Sequence, residues 1–194
     1  MITHPNFKIN LGLHIVSKRS DGFHELQTVF YPVHILCDEL EINRIEKGVK
    51  LSVQNLENLC ADEDNLCVKA FRLLQMQFDI DGVDIKLTKN IPVGAGLGGG
   101  SADAAFALKM YNELFQLQLS STELRDLAAQ LGSDTAFFIE NRPVYATGRG
   151  EIMTPLDLDL SAYRIEMVKP DFSISTKEAY LTSHGHIQAS KDHF

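Results

Sequence analysis

The sequence predicts an α+β fold from three observations. Alternating apolar residues dominate the first 55 positions, helical spacing takes over between 62 and 131, and short strands return after 143. In the opening strand Phe7, Ile9, Leu11, Leu13 and Ile15 fall on one face, and Lys8, Asn10, Gly12 and His14 on the other, so Lys8 and Asn10 point the same way. Ser20-Asp21-Gly22 reads as a turn, and Glu25 to Val33 as a second strand that pauses at Pro32. Leu40 and Ile42, then Val49, Leu51 and Val53, alternate across Glu46-Lys47-Gly48, which predicts a hairpin and an antiparallel opening sheet. Cys67, Ala70, Phe71, Leu74 and Phe78 then follow helical spacing, with Asp62 or Asp64 placed to cap the start.

A further strand carries Val83, Ile85 and Leu87 and stops at Lys89-Asn90-Ile91-Pro92. Ser101 is expected to open the next helix, with Ala105, Leu108, Asn112 and Phe115 near one stripe. Ser120-Ser121-Thr122-Glu123 fits a capping box before Leu124, Leu127, Ala128 and Leu131, and Gly132 stands where a C-terminal cap belongs. Val144 to Thr147 and Ile152 to Thr154 read as short strands around Gly148-Arg149-Gly150, closed by Pro155. After a connector from Pro155 to Ala162, a strand is expected from Tyr163 to Lys169 and a helix from Ser175-Thr176-Lys177-Glu178.

Composition narrows the classes of partner. With 194 residues, of which 44% are hydrophobic, the chain has the material for a large core. A net charge of −8 disfavours general nucleic-acid and anionic-membrane binding, so a phosphate site has to be local, built from a few cations and backbone donors. No apolar run approaches the roughly 18 residues of a membrane span and the N-terminus lacks a signal pattern, which points to a cytoplasmic protein. Cys37, Cys60 and Cys67 are odd in number and lack CxxC spacing, so reduced thiols are expected. His184-Gly185-His186 with His193 reads as a polar tail in preference to a metal site.

The strongest chemical signal is Pro92-Val93-Gly94-Ala95-Gly96-Leu97-Gly98-Gly99-Gly100-Ser101-Ala102, which leads into an alanine-rich helical run. Glycine lets backbone N–H groups approach an anion, and a helix N-terminus adds unpaired donors. Five glycines between positions 94 and 100 are entropically costly, at roughly 0.5–1 kcal/mol each relative to alanine, and close ligand approach explains them better than a mere turn. Gly94, Gly96 and Gly99 satisfy G-x-G-x-x-G, but the region where a Rossmann unit carries its ribose-binding acid is Leu119-Ser120-Ser121, a helix start. A Walker A loop also fails, because Gly100 occupies the place of its lysine, and no protein-kinase motif accompanies the glycines.

The loop resembles that of the GHMP kinase superfamily, P-x-x-x-G-L-G-S-S-A. With it stand Lys8-Ile9-Asn10-Leu11, Arg19-Ser20-Asp21-Gly22-Phe23-His24-Glu25-Leu26, Asp64-Asn65-Leu66, the run through Asp103-Ala104-Ala105, and Leu131-Gly132-Ser133-Asp134-Thr135-Ala136-Phe137-Phe138. In this order they resemble the family of 4-diphosphocytidyl-2-C-methyl-D-erythritol kinases. The resemblance implies a two-layer N-terminal domain like ribosomal protein S5 domain 2 over residues 1–155, and the beginning of a second α+β domain over 156–194. Chains of that family are longer, so a C-terminally truncated form is expected. The implied activity is ATP-dependent phosphorylation of the 2-hydroxyl of the CDP-linked alcohol, in the non-mevalonate route to isoprenoid precursors. Two alternatives remain open: a GHMP kinase with another acceptor, such as mevalonate or homoserine, and a nucleotide-binding fragment without catalysis.

By the same resemblance, Asp134 accepts or orients the acceptor proton and Lys8 favours the alkoxide while steadying Asp134. On residue type alone, Lys8 reads as a solvated strand lysine and Asp134 as a helix-start residue. Residues Pro92 to Ala102 (Pro92, Val93, Gly94, Ala95, Gly96, Leu97, Gly98, Gly99, Gly100, Ser101, Ala102) would wrap the ATP phosphates. Ser101 is then a candidate phosphate or Mg²⁺ ligand, and Asn65 is either a nucleotide-pocket residue or a capping asparagine. Mg²⁺ is expected with ATP; its ligands are not evident from the sequence. For the acceptor, Phe23 would lie against the cytosine ring, His24 at its polar edge, Asn10 near the diphosphate or methylerythritol, and Thr176 and Tyr180 in the second domain, Tyr180 closing the other face of the base.

Overall fold

The computed structural model describes residues 1–55 and 62–168. Its strands are β1 (Ile2–Thr3), β2 (Asn6–Lys18), β3 (His24–Cys37), β4 (Glu39–Ile45), β5 (Val49–Gln54), β6 (Gly82–Thr88), β7 (Val144–Gly148) and β8 (Ile152–Pro155); its helices are α1 (Leu66–Gln75), α2 (Gly99–Leu114), α3 (Ser121–Leu131) and α4 (Phe137–Glu140). The strands form two four-stranded sheets, β1-β4-β6-β5 and β2-β3-β7-β8. The predicted α+β class is observed.

The expected hairpin of residues 40–53 does not form. β6 is inserted between β4 and β5, antiparallel to the first and parallel to the second. Parallel neighbours need a long crossover, and α1 supplies it between β5 and β6. The insertion depends on Gly82: a Cβ there would run into the Gly48 carbonyl and Lys47, and Val83 N–H donates to Gly48 O at 2.9 Å. The Glu46-Lys47-Gly48 turn therefore docks on the start of β6, and the strand after it swings out to the far side.

The other sheet is wholly antiparallel. β3 does not pause at Pro32 but runs on to Cys37, with Pro32 opposite Lys8. Lys8 N–H points away from this pairing and donates to Leu97 O at 2.9 Å, so the proline interrupts no bond from Lys8 and the glycine loop lies along the β2 edge. Alternation along β2 fails where its register shifts between Leu11 and Leu13. Phe7 and Lys8 are both buried, whereas Leu13, beyond the shift, is exposed.

The main core joins the inner residues of both sheets to the helices: Leu40, Ile42, Ile85 and Val144 meet Phe71, Leu108, Tyr111 and Phe137. α2 is buried beyond a single stripe, with Ala102, Ala104, Ala105 and Ala107 inaccessible, which explains its many alanines at the centre of the packing. α2 begins at Gly99, two residues before the predicted start, and its N-cap is Gly98 at φ +72°. α1 is capped by Asn65, whose Oδ1 accepts from Cys67 N–H at 2.9 Å, in place of Asp62 or Asp64, which lie in a preceding 3-10 turn. The capping box at Ser120 and Glu123 forms as expected.

The strand expected from Tyr163 is not formed over residues 163–168. Tyr163 and Val168 are exposed and Tyr163 N–H closes a turn onto Leu160 O. The sheet ends at β8, and among the described residues no strand pairs with this segment, whose Ile165 packs instead against Phe7, Val33 and Ile91. Lys169 and the helix expected at Ser175 lie outside the described residues, as do Cys60, Thr176, Tyr180 and the histidines at 184, 186 and 193.

Candidate active site

The β6 strand delivers Lys89, Asn90 and Ile91 to the root of the glycine loop, and α2 leaves from its far end. The loop borders a cavity of about 370 Å³ lined by residues 92–101 together with Val53, Asn65, Leu66, Leu87, Lys89 and Asp103. Every predicted loop residue except Ala102 lines it; Ala102, on the first turn of α2, faces the core. Side chains at Gly94 and Gly96 would project into open space, whereas one at Gly98 would meet Phe138 at 3.1 Å and Lys8 Cγ at 3.3 Å. The left-handed backbone at Gly98 and this close approach together require glycine.

Lys8 is the point where strand and loop meet. Its backbone holds Leu97, its side chain is only 6% exposed, and Nζ donates to Asn10 Oδ1 at 2.6 Å and lies 3.3 Å from Asp134 Oδ2. The ammonium also stands 5.0 Å from the Phe30 ring centroid. Asn10 passes the constraint on: its Nδ2 donates to Thr28 Oγ1, which donates to Gly12 O. Asp134 sits on the turn between α3 and α4 and is 33% exposed, so the pair is closed on the lysine side and open on the carboxylate side. A solvated strand lysine is thereby replaced by a fixed, buried cation beside an accessible carboxylate. Those are the parts needed to orient a hydroxyl and take its proton.

A second charged cluster was missed in the sequence. Lys89 Nζ donates to Asp38 Oδ2 through a very short bond and to Asp103 Oδ2 at 2.6 Å. Asp38 Oδ1 accepts from Asn90 N–H at 2.6 Å and Ile91 N–H at 2.8 Å, fastening the loop root to the start of β4. Burial pushes the Asp103 carboxyl up to about 7, against the pull of Lys89 and with the push of Asp38. Burial works against the Lys89 ammonium, yet Asp103 and Asp38 hold it above its usual value. Asp38 and Lys89 are 51 positions apart, too far for any local pattern to join them. Asp103, a carboxylate inside an alanine-rich run, was the available signal.

Phe23 and His24 are not among the residues lining the cavity. Phe23, on the turn between β2 and β3, is 53% exposed, and His24 opens β3 beside it. Asn65 combines both of its readings, since it caps α1 and lines the cavity.

Residues 65–142 match the model of the GHMP kinases N terminal domain. The 4-diphosphocytidyl-2-C-methyl-D-erythritol kinase of Bacteroides thetaiotaomicron is 52% identical over 189 residues, covering 96% of this chain and 69% of that protein. Its Bacteroides fragilis counterpart is 52% identical over 183 residues, covering 93% and 66%. The chain thus spans about two thirds of the length of the curated relatives it matches. A crystal structure of 4-(cytidine 5'-diphospho)-2C-methyl-D-erythritol kinase aligns with a TM-score of 0.71 at 37% identity, over 82% of this chain and 56% of that one. Since half the residues are shared along nearly the whole sequence and the fold agrees, the chain belongs to the 4-diphosphocytidyl-2-C-methyl-D-erythritol kinase family of the GHMP kinases.

Proposed function

We propose that the chain binds ATP in the glycine-loop cavity and transfers its γ-phosphoryl group to the 2-hydroxyl of 4-diphosphocytidyl-2-C-methyl-D-erythritol. The observation that carries this reading is the Lys8–Asp134 pair tied through Leu97 to the loop. Backbone donors of the loop and the N-terminus of α2 suit the triphosphate, and Val53, Leu66 and Leu87 offer apolar surface to the base. In the reaction, the acceptor oxygen bonds to the γ-phosphorus while the bond from that phosphorus to the β,γ-bridging oxygen breaks. ADP leaves, and the hydroxyl proton passes to an Asp134 oxygen. Lys8 lowers the cost of negative charge on the acceptor oxygen and keeps Asp134 turned toward it.

Mg²⁺ belongs to this reading as a companion of the nucleotide. Among the described residues no group of three or more His, Cys, Asp or Glu is arranged as a metal cage. A cation held mainly by phosphate oxygens would need no such cage, and Ser101 Oγ would be its protein ligand. When bound, the ion would neutralise charge on the triphosphate. Phe23 and His24 receive the cytosine, Asn10 the acceptor's polar chain, and Thr176 and Tyr180 complete the site from a second domain that begins after Pro155. The reading includes a cytoplasmic location; no helix among the described residues is long and apolar enough to cross a membrane.

The test is phosphorylation of the CDP-alcohol in the presence of ATP and Mg²⁺, followed by product mass. Asp134→Asn is expected to cut product formation by about 10²- to 10⁴-fold while ATP binding persists. Undiminished transfer by that variant would refute the assignment.

A further inference from the structure

Two turns meet at one end of the β2-β3-β7-β8 sheet, because Leu26 of β3 pairs with Gly148 of β7. The turn before β3 carries Phe23 and the turn after β7 carries Arg149. Both turns are tied to one carboxylate: Glu25 Oε1 accepts from the Gly148 backbone N–H at 2.9 Å, and Oε2 accepts from the Arg19 side chain, through Nη1, at 2.8 Å. Arg19 also donates to Asp21, and Asp21 Oδ1 accepts from Phe23 N–H at 3.1 Å. Phe23 and Arg149 are therefore held in fixed relation. At the tips the Arg149 guanidinium stacks over the Phe23 ring, 4.8 Å from its centroid.

The charges on the two arginines are not equally committed. Arg19 is taken up by Asp21 and Glu25, which hold its guanidinium above the usual value, chiefly through the Asp21 hydrogen bond. Arg149 is paired more loosely, with Nε 3.8 Å from Glu151 Oε1, and it shares the field of Asp21. Its guanidinium lies over the Phe23 ring, and Phe23 still keeps 53% of its surface open.

We propose that Arg149 is a positioning residue for recognition of the pyrimidine: it props one face of Phe23 so that the other is presented to the base. This rests on the reading of Phe23 as the cytosine platform. A lone exposed phenylalanine has to be ordered when a base stacks on it, and the guanidinium removes part of that cost in advance. Arg149 acts through the ring, so it serves cytidine and CDP equally and leaves ATP untouched.

Calorimetric titration of the 194-residue chain with cytidine, CDP and ATP tests this, using wild type, Arg149→Ala, Phe23→Ala and the double variant. Arg149→Ala is expected to weaken cytidine and CDP alike, by about two- to fivefold, the factor that an exposed cation–π contact supplies. ATP affinity should be unchanged, and the Phe23→Ala background should show no further loss on removing Arg149. Equal or tighter cytidine binding by Arg149→Ala overturns the proposal, as does a loss confined to CDP, which would make Arg149 a phosphate ligand. Wild type that binds neither pyrimidine, or Phe23→Ala that binds both as wild type does, would overturn the platform reading and this inference with it.

Discussion

Two lysine–aspartate sites flank the glycine loop, and they differ in how completely they are closed. At the root, Lys89 is sealed between Asp38 and Asp103, and Asp38 also takes two backbone N–H groups. At the far end, Lys8 is equally buried, but its carboxylate partner Asp134 is one-third exposed and 3.3 Å away. A buried charge is tolerated only when its partners satisfy it, so the closed site fixes the backbone and has little capacity left for a ligand. The open site keeps a carboxylate with room for a proton. Residue types alone do not separate these roles; the accessibility of the carboxylate does.

The sharpest way to break the contrast is at the open site. Asp134→Asn should cut phosphoryl transfer by about 10²- to 10⁴-fold, the range for a positioned general base. The thermal midpoint should fall less than at the closed site, because the carboxylate is partly solvated and Lys8 keeps its bond to Asn10 Oδ1. At the closed site the order should reverse. Asp38→Ala leaves Lys89 with one partner and frees the loop root, and should cost about 3–5 kcal/mol in urea unfolding. Its loss of ATP binding should follow from that of folding.

A further effect is expected at the closed site as pH changes. Asp103 has its native value raised to about 7 from 3.8, so the folded state holds its proton more tightly than the unfolded state. Its contribution is fully favourable below about pH 4 and is lost as pH rises through 7, with a slope of at most about 1.4 kcal/mol per pH unit. Unfolding titrations of Asp103→Asn against wild type should show that slope disappear between pH 4 and 7. The smallest effect is expected for Asn65→Ala. Losing the cap of α1 should cost about 1 kcal/mol, and any additional loss of ATP affinity in the folded protein measures how far the same amide serves the cavity.

The sequence made the local parts legible. The capping box at Ser120, the strand of Val83 to Leu87, the buried face of Cys67 to Leu74 and the glycine loop all depend on neighbours within a few residues. Lys8 and Asp134 were found by the family's motif order. Nothing in their own spacing joins a strand residue to a turn so far along the chain. The errors were non-local too. The predicted hairpin of Leu40 to Val53 had correct strands and the wrong partner, because pairing with β6 is decided by Gly82 meeting Gly48. The strand expected from Tyr163 had the alternation, but over residues 163–168 no strand pairs with it and Ile165 packs on Phe7 and Val33 instead.

The slot that β4 and β5 leave open has a kinetic consequence. Neither strand can pair with the other, so both wait for residues 82–88, which arrive only after α1. Such separated contacts slow the search for the native arrangement. The glycine loop hangs directly from the end of that late strand, and its root is fastened back to Asp38 at the head of β4. A chain emerging from synthesis therefore has no seated glycine loop until β6 is in place, and, on the reading proposed for that loop, ATP should bind only molecules in which the sheet has closed.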